Sequence, residues 1–324
     1  KVGPRSAGSG LVLLFHSLGE HDGSFGTWAF HKGGNGGFTQ VLARAAESFG
    51  AEIRLEAPVV RVLTRDGETT GVALEDGTEI GADVVVSALD PRRTFLELLD
   101  PRELPDDLVT DIGRLKFQGT SSKVNFALSG LPVYPALADR KGDMFRGFLN
   151  IGPSMDYLER AYDDAKYGWY STEPYIDAAI QSTIDPDMAP PGMHVMSCFI
   201  QYTPYHLRES DWDAERERLG DTVQATLERY FPGFGDLVLQ REVVTPLDIE
   251  RTIGLSEGNI FAGELAAPQM FFLRPAPGWS QYRTPISGYY QCGSGTHPGG
   301  CVMGAPGRLA AGQILKDRTD SSAG

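Results

Sequence analysis

Between Tyr289 and Lys316 the chain gathers residues able to meet a ligand: six glycines and two prolines over Gly293 to Gly307, with Ser294, His297 and the thiols of Cys292 and Cys301. Glycine has no Cβ and adopts positive φ without strain, so its N–H can point at a bound group. Leu309 to Lys316 then carry apolar side chains at helical spacing. The first turn of such a helix presents unpaired N–H groups worth roughly +0.5 of a charge. Loop and helix end together predict a site for something anionic, with a plain surface turn as the simpler alternative. His297 is the candidate acid or base; its simpler role is to hold the loop by a hydrogen bond. Cys292, His297 and Cys301 suggest a metal by their spacing, but the close C-x2-C pair of structural zinc is missing and no metal is expected.

The elements that must position this loop are legible in part. Tyr289 to Cys292 read as a short buried strand feeding it. Near the start, Leu11 to Leu18 read as a buried helix stopped by Gly19, with His16 as a core histidine. Trp28 and Phe30 precede a second glycine cluster, Gly33 to Gly37, where something flat could be lined. Phe38 to Phe49 is an amphipathic helix with Phe38, Val41, Leu42, Ala45 and Ala46 on one face. Ala51 to Leu55, Val59 to Leu63 and Ala82 to Leu89 read as strands, with a hairpin around Asp76-Gly77 between the last two. Short helices fill Pro91 to Leu115. Ser121 to Leu128 alternates, pointing Lys123 and Asn125 one way and Val124 and Phe126 the other. The aromatic stretch from Met144 to Tyr175 is core or substrate lining. Val195 to Tyr202 is a strand, Asp211 caps a long helix through Tyr230 with Leu219, Val223 and Leu227 on one side, and Leu237 to Val244 is a further strand before a short helix at Pro246 to Thr252.

The order GTHPGG, then V-M-G-A, then a helix with small residues resembles the carboxy-terminal signature of the phytoene desaturase-like FAD-dependent oxidoreductases, within the amine oxidase superfamily. The pattern of two glycines, helix, GAEIRLEAPVVRVL, hairpin and ADVVVSALDP is similar to the second half of that family's FAD domain. Middle runs such as DYLERAYDDAKYG, FIQYTPYHLR and MFFLRPAPGW resemble its branch of pyridine nucleotide-disulfide oxidoreductase domain-containing proteins. The resemblance spans nearly the entire chain. It implies FAD as cofactor, with Gly34 among the glycines that open the helix, Val59 meeting adenine through its backbone and Ala88 close to the cofactor at a strand end. Gly293 and Ser294 would lie near the pyrophosphate and ribityl chain, and Gly300, Cys301, Val302 and Met303 along the isoalloxazine. Cys301 departs from the small residue usual there, and reads as an apolar filler or a redox-active thiol. For Val59 and Ala88 the alternative is ordinary core strand.

Composition bounds the rest. The chain has 324 residues, 41% hydrophobic and 22% charged, enough for a large core. Its 29 basic and 43 acidic residues give a net charge of −14 and no basic stripe, which disfavours nucleic acid. Three scattered cysteines fit a reducing compartment, the cytoplasm or an organelle interior such as the mitochondrial matrix. No apolar run reaches the ~20 residues of a membrane span, which leaves peripheral membrane contact open, and oligomerisation too. Lys1 stands where an initiator Met is expected, in keeping with a fragment or a processed chain.

The strand, G-x-G-x-x-G turn and helix that hold the ADP half of FAD are not found; Gly33 to Gly37 has no apolar strand before it. The expected fold is therefore α/β, an incomplete FAD/NAD(P)-binding domain of glutathione reductase type, with an inserted α+β substrate domain on an antiparallel sheet. Residues 1–33 are expected to be a helical part of the substrate domain, 34–95 and 255–318 the FAD-domain portion, 96–254 the substrate domain and 319–324 a flexible tail. The function implied is dehydrogenation or isomerisation of an apolar, polyene-like small molecule through the flavin, inactive without the missing amino-terminal portion or a separate chain that supplies it. The alternative is a non-catalytic assembly module derived from a flavoprotein.

Overall fold

The computed structural model describes residues 2–17, 19–140 and 143–321. Its first part holds α1 (Ser9–His16), the short pair β1 (Glu20–His21) and β2 (Ser24–Phe25), and α2 (Gly34–Ser48). There follows an antiparallel meander of β3 (Val59–Arg65), β4 (Glu68–Leu74) and β5 (Glu79–Gly81), then β6 (Val85–Ser87). The β4–β5 turn falls at Asp76-Gly77 as its sequence predicts, with Thr78 N–H donating to Asp76 Oδ1 at 2.9 Å.

The central part is built on one antiparallel sheet. After α3 (Asp106–Arg114) come β7 (Ser121–Leu128), β8 (Phe148–Ile151), α4 (Met155–Lys166), β9 (Tyr175–Ala179), β10 (His194–Gln201), α5 (Trp212–Tyr230), α6 (Phe234–Leu237), β11 (Val238–Val244) and α7 (Pro246–Ile253). The strand order is β11-β7-β10-β9-β8. The alternation of β7 is realised: Val124, Phe126 and Leu128 are fully buried, while Lys123 is exposed and Asn125 only half-buried. Asp211 caps α5 by accepting from Ala214 N–H at 2.9 Å. Leu219, Val223 and Leu227, one helical turn apart, are fully buried and share a core with the sheet residues Phe126, Met196 and Ile200. Each such side chain contributes about 1.5–3 kcal/mol. A capping box starts α7, where Asp248 N–H donates to Thr245 Oγ1 and Thr245 N–H donates to Asp248 Oδ2.

The last part returns to the first. Strand β12 (Tyr289–Gln291) is wholly buried and pairs in parallel with β6, Tyr289 against Val85 and Gln291 against Ser87. Cys292 N–H extends the ladder to Ser87 O at 2.7 Å. Helix α8 (Ala305–Ser321) follows. A second core beneath this pair joins Val62, Phe95, Leu98, Leu108, Ile112, Ile286 and Tyr289.

Several expectations are corrected. Residues 51–55 form no strand: Ile53 is 43% and Leu55 80% exposed, and no ladder pairs them among the described residues. A strand exists only with a hydrogen-bonded neighbour, whatever its β propensity. The apolar strand at 82–89 shortens to β6 for the same reason, as only 85–87 meet β12. Helix α1 forms, but Leu13 is 73% and Leu14 59% exposed and only Phe15 is buried, so apolar composition did not ensure burial; Leu18, its expected end, lies outside the described residues. Helix α2 forms with its apolar face uncovered, Val41 and Leu42 included. Helix α8 begins four residues before Leu309, because Pro306 suits a first turn. It continues through Ser321, so residues 319–321 of the expected tail are helical; 322–324 lie outside the described residues.

Candidate functional site

The parallel pair of β6 and β12 brings the two predicted cofactor segments to one place. A Cβ built on Gly293 would lie 2.9 Å from Ala88 O, and the residue holds φ +82°, so the approach and the backbone both require glycine. Polar side chains fix the strand ends. Gln291 Nε2 donates to Leu89 O at 3.2 Å, Tyr289 O–H donates to Thr94 O at 3.1 Å, and the hydroxyls of Ser87 and Thr94 share a bond of 2.8 Å. Asp90, almost fully buried, accepts from Arg93 N–H at 3.1 Å and Ser256 N–H at 3.0 Å, tying the turn after β6 to the segment after α7.

The loop after Gly293 is held from several sides. Thr296 folds back on Gly293 O through its N–H at 3.1 Å and its hydroxyl at 2.9 Å. A Cβ on Gly295 would meet Pro91 Cδ at 2.7 Å, and one on Gly300 would meet Phe261 at 3.1 Å and Ser294 Oγ at 3.2 Å. Tyr282 O–H donates to His297 O at 3.0 Å. Among the described residues His297 Nδ1 is buried without a hydrogen-bond partner, so the main chain of this residue, not its ring nitrogen Nδ1, is what Tyr282 secures. Cys301 at φ +82° and Val302 at φ +21° are strained for residues with a Cβ. Val302 is 87% and Met303 44% exposed, presenting apolar surface beside the first turn of α8, which holds no acidic residue.

Arg274 underlies this loop. It is 3% exposed, and its Nε–H donates to Ser294 O at 2.8 Å. Its other donors reach Gln269 O at 3.1 Å, Gly263 O at 3.3 Å, Glu264 O at 3.5 Å and Phe261 O. Burial pulls its pKa down to about 10. The thiols of Cys292 and Cys301 are pushed up by burial, and Cys301 packs with Phe15, Phe261, Leu265 and Met270. For Cys301 an elevated thiol in apolar company favours the apolar-filler reading over an activated thiolate.

Ala88, Gly293, Ser294, Gly300 and Cys301 thus form one connected surface. Gly34 does not join it in the contacts seen: its neighbour is Met188, and the adjacent Gly33 N–H donates to Asp185 Oδ2 at 2.7 Å. Val59 opens β3 opposite Leu74 and is 38% exposed. Trp28 and Phe30 both pack on the Phe148 ring, at 5.8 and 5.3 Å. Among the described residues no three His, Cys, Asp or Glu side chains converge as metal ligands, those of Cys292, His297 and Cys301 included. A surface hollow lined by Tyr157, Arg160, Asp163 and Glu173 lies beside α4 and shares no residue with the loop. Sequence reasoning missed Arg274, Asp90 and Tyr282. Charged residues are mostly exposed, so nothing in the sequence marked an arginine as buried; the Asp-Pro after β6 was the available turn signal for Asp90.

Glycine at 293 and 300 is required by protein neighbours, Ala88 O and Phe261 with Ser294 Oγ, and what the surface offers a flavin nucleotide is the first-turn N–H groups of α8 with the exposed Val302 and Met303 beside them. Comparison with known proteins agrees. A profile described as flavin containing amine oxidoreductase matches residues 4–315. The chain is 42% identical over 323 residues to pyridine nucleotide-disulfide oxidoreductase domain-containing protein 2 of Mus musculus, covering 97% of this chain and 55% of that protein. It is 27% identical over 304 residues to a lycopene-forming phytoene desaturase of a Paracoccus species, covering 94% and 57%. The chain therefore spans about half the length of the curated relatives it matches. In fold it is similar to an oxidoreductase from Methanosarcina mazei, with a TM-score of 0.53, 16% identity and coverage of 88% and 55%. It is also similar to a variant of putrescine oxidase, with 0.51, 17%, 88% and 53%.

Proposed function

The chain belongs to the flavin containing amine oxidoreductase family, and from that premise we propose that it is the flavin-cradling and substrate-binding portion of an oxidoreductase that dehydrogenates or isomerises an apolar, polyene-like small molecule. FAD is the cofactor to which membership of the family points. The observation that carries the reading is the close approach of Ala88 and Gly293 where β6 and β12 end side by side. Ligands of α/β sheets gather at such carboxyl ends.

In this reading Gly293 and Ser294 border the pyrophosphate and ribityl chain, and Gly300, Cys301, Val302 and Met303 border the ring system. Val59 meets adenine through its backbone, and Gly34, packed on Met188, stays outside the cradle. The flavin, when bound, supplies two-electron acceptor chemistry, and the protein supplies orientation and electrostatics. The first-turn N–H groups of α8 would stabilise negative charge on the nearest edge of the ring. His297, with its unpartnered Nδ1, is the candidate for moving a proton. Similarity to a phytoene desaturase supports an extended apolar substrate, and so do the exposed rings of Trp28, Phe148 and Phe272.

A second reading, a non-catalytic assembly module, draws on the exposed apolar residues Val41, Leu42, Phe49, Leu55, Leu309 and Leu315. Both readings give these residues a covering partner, and in the first it is the dinucleotide-binding portion, supplied by further sequence or by a second chain. Among the described residues no helix is long and apolar enough to cross a membrane. The three free cysteines support a reducing compartment, cytoplasm or mitochondrial matrix. Titration of the chain with FAD, alone and with a separately expressed dinucleotide-binding portion, tests the proposal. Binding in the combined sample supports the flavin cradle, and binding in neither favours the assembly module.

A further inference from the structure

We infer that Arg274 is the positioning residue of the cofactor loop: its guanidinium locks the segment 261–274 and, through Ser294, fixes the conformation of residues 293–303. Four of its five hydrogen bonds end on carbonyls within residues 261–269, and the fifth, from Nε, reaches Ser294 O across twenty residues of sequence. The segment is shaped to receive the guanidinium. Gly263 holds φ +129°, and a Cβ there would stand 3.4 Å from Arg274 Nη2. Ala262 and Phe271, on either side, also adopt positive φ. Such strain persists only where surrounding interactions over-determine it.

The geometry asks for a planar fork. Every acceptor is a main-chain carbonyl, so among the described residues Arg274 is no half of an ion pair, and its role calls for the fork itself, not for charge alone. A lysine ammonium has three donors at a single point on a flexible stem and cannot reach five carbonyls spread around the rim of a guanidinium. Without the fork, the carbonyls of Phe261, Gly263, Gln269 and Ser294 lose a charged donor. Ser294 would then be free to leave the position from which its Oγ faces Gly300. The importance of this for cofactor binding rests on the proposed flavin reading, whereas the locking of the loop is a property of the chain by itself.

The test is amide hydrogen exchange on the ligand-free chain and on its Arg274→Lys and Arg274→Met variants. The amides of Cys292 and Thr296, bonded to Ser87 O and Gly293 O, are expected to exchange at least about tenfold faster in both variants, while those of β7 and β10 keep their protection, in line with the loss of a charge-assisted bond from one local unit. Retained loop protection in Arg274→Lys would overturn the inference, because a purely electrostatic or space-filling role survives that substitution. The unsubstituted protein gives a reading that needs no variant to fold. In its NMR spectrum the Arg274 Nε–H should persist in deuterated water, and its immediate loss would equally overturn the lock. Flavin titration separates the two ideas: if the unsubstituted chain with its dinucleotide-binding portion binds no FAD, the flavin reading fails and exchange still decides on Arg274.

Discussion

At Gly293 the ladder geometry and the backbone angle make the same demand. A methyl group would press within 2.9 Å of Ala88 O at a φ of +82°, and neither backbone can withdraw without breaking the β6–β12 pairing. Gly293→Ala should therefore cost about 1–3 kcal/mol, seen as a lower urea midpoint with an unchanged slope. An unchanged midpoint would show that the pair can open without loss. Cys301 makes a second prediction at this scale. Its thiol is pushed up by burial among Phe15, Leu265 and Met270, so it is neutral near pH 7.5. Iodoacetamide should label it more slowly than free cysteine, followed by mass spectrometry, and labelling at the free rate would restore the redox-active alternative. Glycine at 293 was legible in sequence because glycine spacing reports backbone shape. Arg274 was not, because its burial depends on carbonyls that only the folded loop assembles.

Among the elements, α5 is the clearest case of sequence dictating structure. Its cap, its period and its covered face were all readable, and Leu227→Ala should lower stability by about 2–5 kcal/mol in chemical denaturation, since Leu227 has no exposed surface. A loss below about 1 kcal/mol would mean that the core can close over the gap. Helix α8 is held differently, by Arg283, Tyr290 and Gln313 converging on Asp317. The Arg283 guanidinium holds the Asp317 carboxyl down at about 2, from an ordinary 3.8. A depressed carboxylate stabilises the fold above its unfolded value and loses that contribution as pH falls through the folded one. The stability difference between the protein and Asp317→Asn should thus be constant above pH ~4 and close between ~4 and ~2, with a size of about 1 kcal/mol at most because Arg283 is half exposed. A difference that persists at pH 2 would contradict the pairing. The elements misread, residues 51–55 and the burial of α1, share a cause: propensity names a conformation, while burial and pairing belong to neighbours that the local sequence does not contain.

At the scale of the molecule, the sheet-bearing part hides its core, whereas Val41, Leu42, Phe49, Leu55, Val302 and Leu315 stay in contact with solvent. Exposed apolar side chains in such number favour association. Sedimentation should therefore show concentration-dependent self-association that a dinucleotide-binding portion suppresses, and a strictly monomeric chain at all concentrations would argue against a covering partner. The antiparallel sheet and its helix were readable from alternation and capping. The convergence of Ala88 with Gly293 was not readable from local pattern, since two hundred residues separate them; only the resemblance of both segments to one family predicted it. The most direct measurement is an FAD titration, by absorbance and fluorescence, of the chain combined with its dinucleotide-binding portion, set against the same sample carrying Gly293→Val. Saturable binding that the substitution abolishes is expected; no binding, or binding indifferent to a valine at 293, would contradict the flavin cradle.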